Sequence, residues 1–450
     1  MNALLIPDPG PASDIGLVPD DVPASDTARP TGRRSAIRLG PSAAAPTLLG
    51  PMPELDHAAH RARLGACPLL TRDVLIEELT EARLTGRGGG AFPVARKVEA
   101  MPRRGGDVVV NACEGDPTAA KDATLLARSP HLVIDGALIL ARALRARRTV
   151  IAVHEDAPAS ALQEALAQRP DASQIEIATV PSRYIASESS ALLSHLHGGP
   201  ALPTDPSVRG TDRARGHRAT LVQNAETVAH VAIVARVGGA AFARASRGDE
   251  TGTALVTVSG ESFPTLVVEA RDTDLVTDLL RACGARPAPD ALVLTGGFTG
   301  SWVRYGDLAG VEWGPTSLAR VGASRGVGSF VVLPAGACVL HETLELVQAA
   351  DRVAAHQCGP CRFGLPSLAD DLARITAGDG AALPRLERRI DLIEGRGGCS
   401  HPSATVGLVR SALALLDAPH VACAPHVGGA ARAECAARAP FTAALTRRIR

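Results

Sequence analysis

Three cysteines in the C-terminal part of the chain have a spacing that suits a metal ion or an iron–sulfur cluster. Cys358 and Cys361 are separated by two residues, and Cys399 lies 38 residues beyond Cys361. Thiolates bind zinc and iron, and a Cys-x-x-Cys pair can reach one centre. Five of the nine cysteines follow residue 350. This clustering favours a metal or cluster site over a disulfide framework.

A glycine-rich segment at residues 86–93, Gly-Arg-Gly-Gly-Gly-Ala-Phe-Pro, could bind a phosphate or a flat ring. Glycine lets the backbone approach a ligand closely, and exposed N–H groups in such a loop bind phosphate. A predicted helix at 71–84 precedes the loop. The dinucleotide-binding fingerprint requires a strand there, and a P-loop requires a following Gly-Lys-Ser/Thr. A flexible connector is the structural alternative.

Lysine and asparagine are rare in this chain. Of 47 basic Lys and Arg residues only Lys97 and Lys121 are lysines, and the internal asparagines are Asn111 and Asn224. A lysine is a compact point charge that the planar fork of an arginine does not replace at a tight site. We therefore expect these four positions to belong to a binding site.

Hydrophobic patterns predict an α/β unit followed by a smaller mixed unit and a helical region. The first unit has predicted strands at 107–110, 149–153 and 175–180, and predicted helices at 134–144, 187–197 and, after an extended entry, 220–237. The second has predicted strands at 254–259, 291–295 and 329–333 around a helix at 275–283. Predicted helices follow at 341–355, 365–376, 384–394 and 403–416.

Composition excludes several classes of protein. The formal net charge is zero, so nucleic-acid binding is not expected. No run of about 18 apolar residues free of charge occurs, so direct membrane insertion is not expected. The first residues lack the pattern of a signal peptide. We expect a cytoplasmic location, which includes a position at the periphery of a membrane complex.

The chain resembles the flavoprotein family of the NADH-binding subunit of respiratory complex I and its relatives in NAD-reducing hydrogenases and formate dehydrogenases. Residues 86–93 resemble the family's GRGGAGFP, and residues 111–117 resemble N-A-D-E-x-E-P. Residues 184–192 resemble Y-I-C-G-E-E-T-A-L, and residues 223–227 resemble N-N-V-E-T. Lys97 and the pair Lys121-Asp122 lie at the family's spacing. The resemblance covers about residues 70 to 420.

The resemblance implies an FMN site that also receives NAD(H) as substrate. Its residues would be Gly86, Arg87, Gly88, Gly89, Phe92, Lys97, Asn111, Glu114, Asp116, Tyr184, Glu188, Asn224 and Thr227. Lys97 would meet the flavin phosphate, and Asn111 and Asn224 would hydrogen-bond the cofactor. Asn111 alone could also be a turn residue at a strand end.

Several NADH contacts of the family are altered. Phe92 keeps one aromatic position, whereas the second falls on Ala100. Asp116 is shorter than the family's glutamate, Ser189 replaces a second glutamate, and residues 203–206 lack the family's lysine. Each lost contact can cost about 1 kcal/mol.

Glu188 and Asp116 are the catalytic residues that the resemblance implies, because acidic groups in the family engage the nicotinamide and its ribose. A solvated charge on a helix face is the structural alternative for Glu188.

The resemblance also implies a [4Fe–4S] cluster held by Cys358, Cys361 and Cys399, the family's second to fourth cysteine ligands. The first falls on Ala355. His356 is the expected substitute ligand; the open alternatives are His401, Cys423, Cys435 and a ligand from outside the protein. A zinc site with cysteine and histidine ligands and an empty site are the rival interpretations.

These expectations combine into an oxidoreductase with an N-terminal extension (1–50), a Rossmann-like α/β domain for FMN and NADH (51–248), a β-grasp-like α+β domain (249–333), a helical iron–sulfur domain (334–420) and a tail (421–450). Electrons from NAD(P)H would pass through FMN to the cluster and on to a ferredoxin-like or other redox partner. Two alternatives stay open: an electron-transfer subunit that has lost NADH oxidation, and a zinc-bound structural homologue.

Overall fold

The structure is a computed structural model of the chain. It describes residues 4–5, 47–155, 157, 159–204, 210–211, 218–245, 248, 250–416 and 440–446.

A four-stranded parallel sheet forms the first unit. Its strands are β2 (Asp107–Asn111), β3 (Arg148–His154), β4 (Ile175–Val180) and β5 (Thr220–Asn224), in the order β4-β3-β2-β5. Its helices are α1 (His57–Leu64), α2 (Arg72–Glu81), α3 (Val94–Ala100), α4 (Lys121–Arg128), α5 (Pro130–Leu144), α6 (Ser160–Ala167), α7 (Ser189–Leu196), α8 (Ala225–Val237) and α9 (Gly239–Arg244). The parallel sheet expected from the alternating pattern is confirmed.

The central strand β2 is buried on both faces, as parallel strands covered by helices are. Its neighbours β3 and β5 run in the same direction, so all three end at one edge of the sheet. In register, Asn111 lies beside Asn224. Ligands of open α/β sheets bind outside this carboxyl edge.

One segment of the sheet was predicted incompletely. The sequence predicts a helix over 220–237 with an extended entry, whereas residues 220–224 form the full strand β5 and α8 begins at Ala225. The chain changes from strand to helix at Asn224, because the side-chain oxygen of Asn224 accepts the Glu226 N–H and caps the start of α8.

A six-stranded sheet forms the second unit. Its strands are β1 (Leu4–Leu5), β6 (Thr253–Gly260), β7 (Phe263–Arg271), β8 (Leu292–Thr295), β9 (Ser301–Arg304) and β10 (Ser329–Val332), in the order β1-β7-β6-β10-β8-β9. Helices α10 (Val276–Ala282) and α11 (Pro315–Ala319) accompany it. The prediction missed β7 and β9, which pair in antiparallel fashion with β6 and β8.

The N-terminal region contributes to this second unit. Strand β1 pairs with β7, so residues 4–5 are not irregular. Leu48 and Leu49 are buried, and their N–H groups donate to the two carboxylate oxygens of Glu269 at 2.9 and 3.0 Å. These leucines fall inside the segment that the sequence assigns to an irregular extension.

The C-terminal region is helical, as expected. Its helices are α12 (Val339–Arg352), α13 (Leu365–Thr376), α14 (Leu383–Ile393), α15 (His401–Leu416) and α16 (Thr442–Thr446). A π-helical turn at Pro360–Gly364 precedes α13. Among the described residues, no single helix has the length and apolar character to cross a membrane; α4 and α5 meet that test only as a pair bent by 96°.

Candidate functional site

Asn111 and Asn224 lie side by side at the carboxyl edge of the parallel sheet. The Asn111 amide nitrogen donates to the Ser187 carbonyl at 2.8 Å, and its oxygen accepts the Cys113 N–H at 3.1 Å. The Asn224 amide donates to Asp122 at 2.6 Å. Both side chains therefore fix loops around the edge, in addition to any contact with a ligand.

Lys121 is the buried centre of a charge network beneath this edge. Its ammonium lies 2.8 Å from Asp122, 3.1 Å from Glu226 and 3.2 Å from the Asn224 side-chain oxygen. Burial alone would lower the pKa of Lys121, but these carboxylates, with that of Glu114, raise it above its usual value. The network joins α4 to the start of α8, so Lys121 has a structural position. Glu226 was not predicted as part of the site. Its partner Lys121 was singled out because lysine is rare in this chain.

The glycine loop lies between the parallel sheet and the second unit. The Arg87 N–H donates to the Thr227 hydroxyl at 2.8 Å, and the Arg87 guanidinium contacts Glu250 and the Thr251 carbonyl. A Cβ added at Gly88 would lie 3.4 Å from the Cβ of Asn224. Gly88 is exposed at the carboxyl edge, so its backbone is available to a ligand.

Gly89 faces the opposite side of the loop. Its φ of +92° belongs to the left-handed region, and a Cβ there would lie 3.6 Å from the backbone of Gly326. Glycine is required at this position by its conformation, whereas at Gly86 an added Cβ would meet only the Phe92 backbone at 3.6 Å or beyond.

Lys97 is half-buried and has no anionic partner. Its ammonium donates to the Val222 carbonyl at 3.4 Å, and within the described chain no carboxylate lies within 4.0 Å of it. Burial lowers its pKa. Val222 belongs to β5, two residues before Asn224, so this uncompensated cation lies near the carboxyl edge. An anionic phosphate bound there would supply the missing charge. The residues therefore fit the phosphate of FMN.

Glu114 caps the start of α4 beside the network. Its two carboxylate oxygens accept the N–H groups of Asp122 and Ala123 at 3.1 and 3.2 Å. Burial, together with the charge of Asp122, raises the pKa of Glu114 to about 7. This carboxyl therefore changes its charge near neutral pH, which is unusual for a glutamate and frequent at functional sites.

We expect Glu114 to make stability depend on pH near neutrality. Because its folded-state pKa lies above the usual value of 4.5, its contribution is complete below that value and is lost as pH rises through about 7. The melting temperature of the wild type should fall between about pH 4.5 and pH 7, relative to that of Glu114→Gln, which stays neutral, and should level off above this range. Parallel melting curves of the two proteins would contradict this assignment.

Asp116 lies at the contact between the first and second units. One carboxylate oxygen accepts the Thr118 N–H at 2.9 Å and the Thr118 hydroxyl at 2.6 Å, and the other accepts the Phe298 N–H at 3.1 Å. Burial raises its pKa. These three donors come from the chain itself and suit a positioning role for Asp116; its predicted catalytic role stays a prediction.

The variant Asp116→Ala distinguishes a positioning role of Asp116 from a direct contact with NADH. We expect it to lower the free energy of unfolding by about 1–3 kcal/mol, because buried donors lose their acceptor. The KM for NADH should change little. Urea unfolding and steady-state kinetics measure the two quantities. A large rise in KM with unchanged stability would instead show that Asp116 contacts the substrate.

Glu188 caps the start of α7. One of its oxygens accepts the N–H groups of Ser190 and Ala191 at 2.8 and 3.0 Å. Its catalytic role stays a prediction, since this contact occupies a single oxygen of the carboxylate. Phe92, the predicted aromatic partner of NADH, is 43% exposed and lies 5.9 Å from the Arg96 guanidinium. It is available for stacking.

Tyr184 lies between the carboxyl edge and the cysteines. Its ring packs edge-on against Phe298, with ring centroids 4.8 Å apart, and at a tilt of 55° against His401, with ring centroids 5.2 Å apart. Burial and the charge of Asp116 raise its pKa, and the Cys399 thiol is close enough to add to this shift. The segment from Tyr184 to Ser187, whose carbonyl binds Asn111, therefore spans both predicted sites.

The structure brings Cys358, Cys361 and Cys399 together. The sulfurs of Cys358 and Cys361 hydrogen-bond each other, and the charges of Cys358 and Cys399 both affect Cys361. Each sulfur accepts a backbone N–H. The donor is Gly398 for Cys358, His356 for Cys361 and His401 for Cys399. Such donors stabilise thiolates.

The thiols differ in acidity. Burial would raise the pKa of Cys358, but the N–H groups of Gly398 and Cys361 lower it below its usual value. Burial and the neighbouring Cys358 raise the pKa of Cys361 to about 12, and burial also raises that of Cys399. A positively charged iron–sulfur cluster would lower the pKa of both Cys361 and Cys399, because it stabilises their thiolates. The donor set fits an iron–sulfur cluster with three protein thiolates.

The position of the fourth ligand is altered as predicted. His356 is exposed with φ +50° and follows Ala355. Within the described residues, no three side chains of His, Cys, Asp or Glu are arranged around a single metal ion. Cys423 and Cys435 lie outside the described residues. Cys283 and Cys338 are buried and Cys67 is partly buried.

A half-buried lysine near the edge of a parallel sheet, joined to a group of three cysteines by one short segment, suits a protein that binds a flavin and an iron–sulfur cluster. Comparison with known families agrees. Residues 79–233 match the Nuo51 FMN-binding domain, and residues 342–418 match the NADH-ubiquinone oxidoreductase-F iron–sulfur binding region. The chain belongs to the family of NADH-binding flavoprotein subunits that contain these two regions.

Curated relatives extend over most of the chain. The chain is 26% identical over 391 residues to the second F-type subunit of NADH-quinone oxidoreductase in Rhizobium meliloti (strain 1021), covering 81% of this chain and 91% of the relative. It is 27% identical over 345 residues to the F-type subunit of NADH-quinone oxidoreductase in Rhodobacter capsulatus, covering 68% of this chain and 77% of the relative.

Solved structures share the fold. Structures of an NAD+-reducing [NiFe]-hydrogenase in the H2-reduced and air-oxidized states superpose with TM-scores of 0.68 and 0.69, at 22% and 23% identity. Each match covers 84% of this chain and 63% of the hydrogenase chain, so the chain spans less than two thirds of those chains.

Proposed function

We propose that this chain oxidises NADH and passes the electrons through FMN to a [4Fe–4S] cluster and on to a partner subunit. The observation that carries the proposal is the segment from Tyr184 to Ser187. At one end it binds Asn111 at the predicted flavin edge, and at the other it packs against His401, next to the cysteine site. When bound, FMN accepts a hydride and releases single electrons, which a cluster can carry.

The residues of the chain bind and orient these groups. Lys97 and the exposed backbone at Gly88 would hold the phosphate, because Lys97 offers a positive charge that no carboxylate of the described residues neutralises and Gly88 offers a backbone N–H. Asn111 and Glu114 lie at the strand end where the flavin ring would rest. The partly buried ring of Tyr184 packs against Phe298 and His401 between the two sites.

A second candidate function is electron transfer without NADH oxidation. The altered nicotinamide contacts favour it: Ala100 stands where the family has an aromatic ring, and the Asp116 carboxylate is bound internally. In that case the flavin would receive electrons from another protein.

Steady-state reduction of ferricyanide by NADH and by NADPH distinguishes the two candidates. Protein loaded with FMN and iron should reduce ferricyanide with NADH, and Ala100→Phe should lower the KM if the lost ring matters. An added aromatic contact is worth about 0.5–1.5 kcal/mol, a factor of about 2 to 13. Loaded protein that is inactive with either nucleotide, in both the wild type and the variant, would favour the second candidate.

The partner is a redox protein or subunit of unspecified identity. The relatives are named as subunits of NADH-quinone oxidoreductases, which supports an assembly with further electron-transfer subunits. The cytoplasmic location, the ferredoxin-like character of the partner, the β-grasp-like nature of the second unit and the domain limits stay predictions.

A further inference from the structure

The cysteine site supplies three thiolates, whereas a [4Fe–4S] cluster has four iron corners. Position 355, where the family has its first cysteine, is an alanine. A fourth ligand must therefore come from another residue or from solvent. This inference rests on the proposed function, since it concerns the cluster that the proposal includes.

His401 is a buried histidine beside this site with an incomplete set of hydrogen bonds. It begins α15 two residues after Cys399, and its side chain is almost wholly enclosed, at 3% exposure. Its Nε2 lies 2.8 Å from the Ala350 carbonyl oxygen. In the described part of the chain, its Nδ1 has no hydrogen-bond partner.

The contact with Ala350 determines which ring nitrogen carries the proton. A carbonyl oxygen only accepts, so Nε2 must be the N–H donor. In the neutral ring Nδ1 then keeps its lone pair. A buried acceptor left without a partner is destabilising, so a partner at Nδ1 is expected.

The neighbouring side chains do not supply that partner. The rings of Tyr184 and Phe298 pack around His401 with centroids at 5.2 and 6.4 Å, and the Tyr184 hydroxyl is engaged with Thr299. The elements that hold His401 are those of the cluster site. Its own backbone N–H contacts the Cys399 sulfur, and Ala350 lies in the last turn of α12, five residues before Ala355.

We propose that Nδ1 of His401 is the fourth protein ligand of the cluster, in place of the thiolate missing at position 355. A metal-bound histidine almost always donates its other ring N–H to a carboxylate, a carbonyl or water, and the Ala350 carbonyl has that place here. His356 is the competing residue. Its side chain is exposed, and no hydrogen bond in the described residues fixes its ring.

Pulsed electron paramagnetic resonance on the reduced, loaded full chain tests the ligand directly. Protein made with 15N-histidine should show a strong histidine nitrogen coupling to the cluster. The coupling should disappear in His401→Leu and persist in His356→Leu. Loss of the coupling in His356→Leu alone would overturn the proposal, and so would a wild-type cluster with no histidine coupling.

A rescue variant covers the case in which His401→Leu fails to keep its cluster. Ala355→Cys combined with His401→Leu should restore iron and sulfide to the wild-type content, with no nitrogen coupling. Failure of this double variant to regain iron would count against the proposal. The pair Cys423→Ser and Cys435→Ser should leave the coupling intact; loss of the cluster there would overturn it. A wild type that never binds iron would instead refute the proposed function itself.

Discussion

Replacing Lys97 with methionine is expected to weaken FMN binding by about 10- to 100-fold. A hydrogen bond to a charged group contributes about 1.5–3 kcal/mol, and each 1.4 kcal/mol is a factor of ten. The protein without FMN should not lose stability, because the ammonium of Lys97 is half-buried and, among the described residues, has only the Val222 carbonyl as partner. Fluorescence titration with FMN and thermal melting without FMN measure the two effects.

Lys121→Met is the matched control, since Lys121 is the other lysine of the chain. Its ammonium is fully enclosed and neutralises Asp122 and Glu226. Removing one partner of a buried ion pair costs about 3–5 kcal/mol, so this variant should melt at a clearly lower temperature. Equal stability loss in both variants, with unchanged FMN affinity in Lys97→Met, would show that Lys97 does not meet the phosphate.

Replacing Cys361 with serine is expected to remove the cluster while leaving FMN bound. Cys361 is 1% exposed, and its sulfur interacts with Cys358 and Cys399. Iron and sulfide content should fall to near zero. Reduction of the flavin by NADH should continue, and electron delivery to a one-electron acceptor protein should stop.

Cys283→Ser controls for the introduction of a buried hydroxyl. Cys283 is 3% exposed in the core of the second unit, away from the three thiols. Both serine variants bury a polar group, so both can lose some stability. Only Cys361→Ser should lose iron. Full iron content in Cys361→Ser would remove Cys361 from the ligand set.

The parallel sheet was predictable from the sequence because its strands β2, β3 and β4 are short apolar runs separated by helices. Strands β7 and β9 were missed because they are recognisable only by pairing. Strand β7 joins β6 in a hairpin and also accepts β1 from the distant N-terminal region. Strand β9, Ser-Trp-Val-Arg, has only two apolar residues, whereas β8 and β10, of the same length, have three each. The local pattern of apolar residues does not show which distant segments pair with each other.

For the site, residue rarity and motif spacing selected Lys97, Asn111 and Asn224, and the structure places all three near one edge of the parallel sheet. They did not distinguish the two lysines. Lys121 is neutralised by Glu226 across more than one hundred residues, whereas Lys97 is left without an anion among the described residues. This difference depends on three-dimensional packing. The same is true of Asp116, whose hydrogen bond to Phe298 was not predictable from its motif.

The fourth ligand of the cluster also depends on three-dimensional packing that the sequence does not show. Motif spacing left several candidates for the fourth ligand, with no ground for preferring His401. The contact of Nε2 with the Ala350 carbonyl supplies that ground, because it fixes the proton and leaves the Nδ1 lone pair available.

An anaerobic titration of the loaded protein with NADH tests the central claim most directly. Visible absorption follows the flavin, and electron paramagnetic resonance follows the cluster in the same samples. We predict that NADH bleaches the flavin band and that a reduced-cluster signal appears with it, since the segment from Tyr184 to Ser187 joins the two sites. A flavin that NADH leaves oxidised, with both cofactors present, would contradict the account.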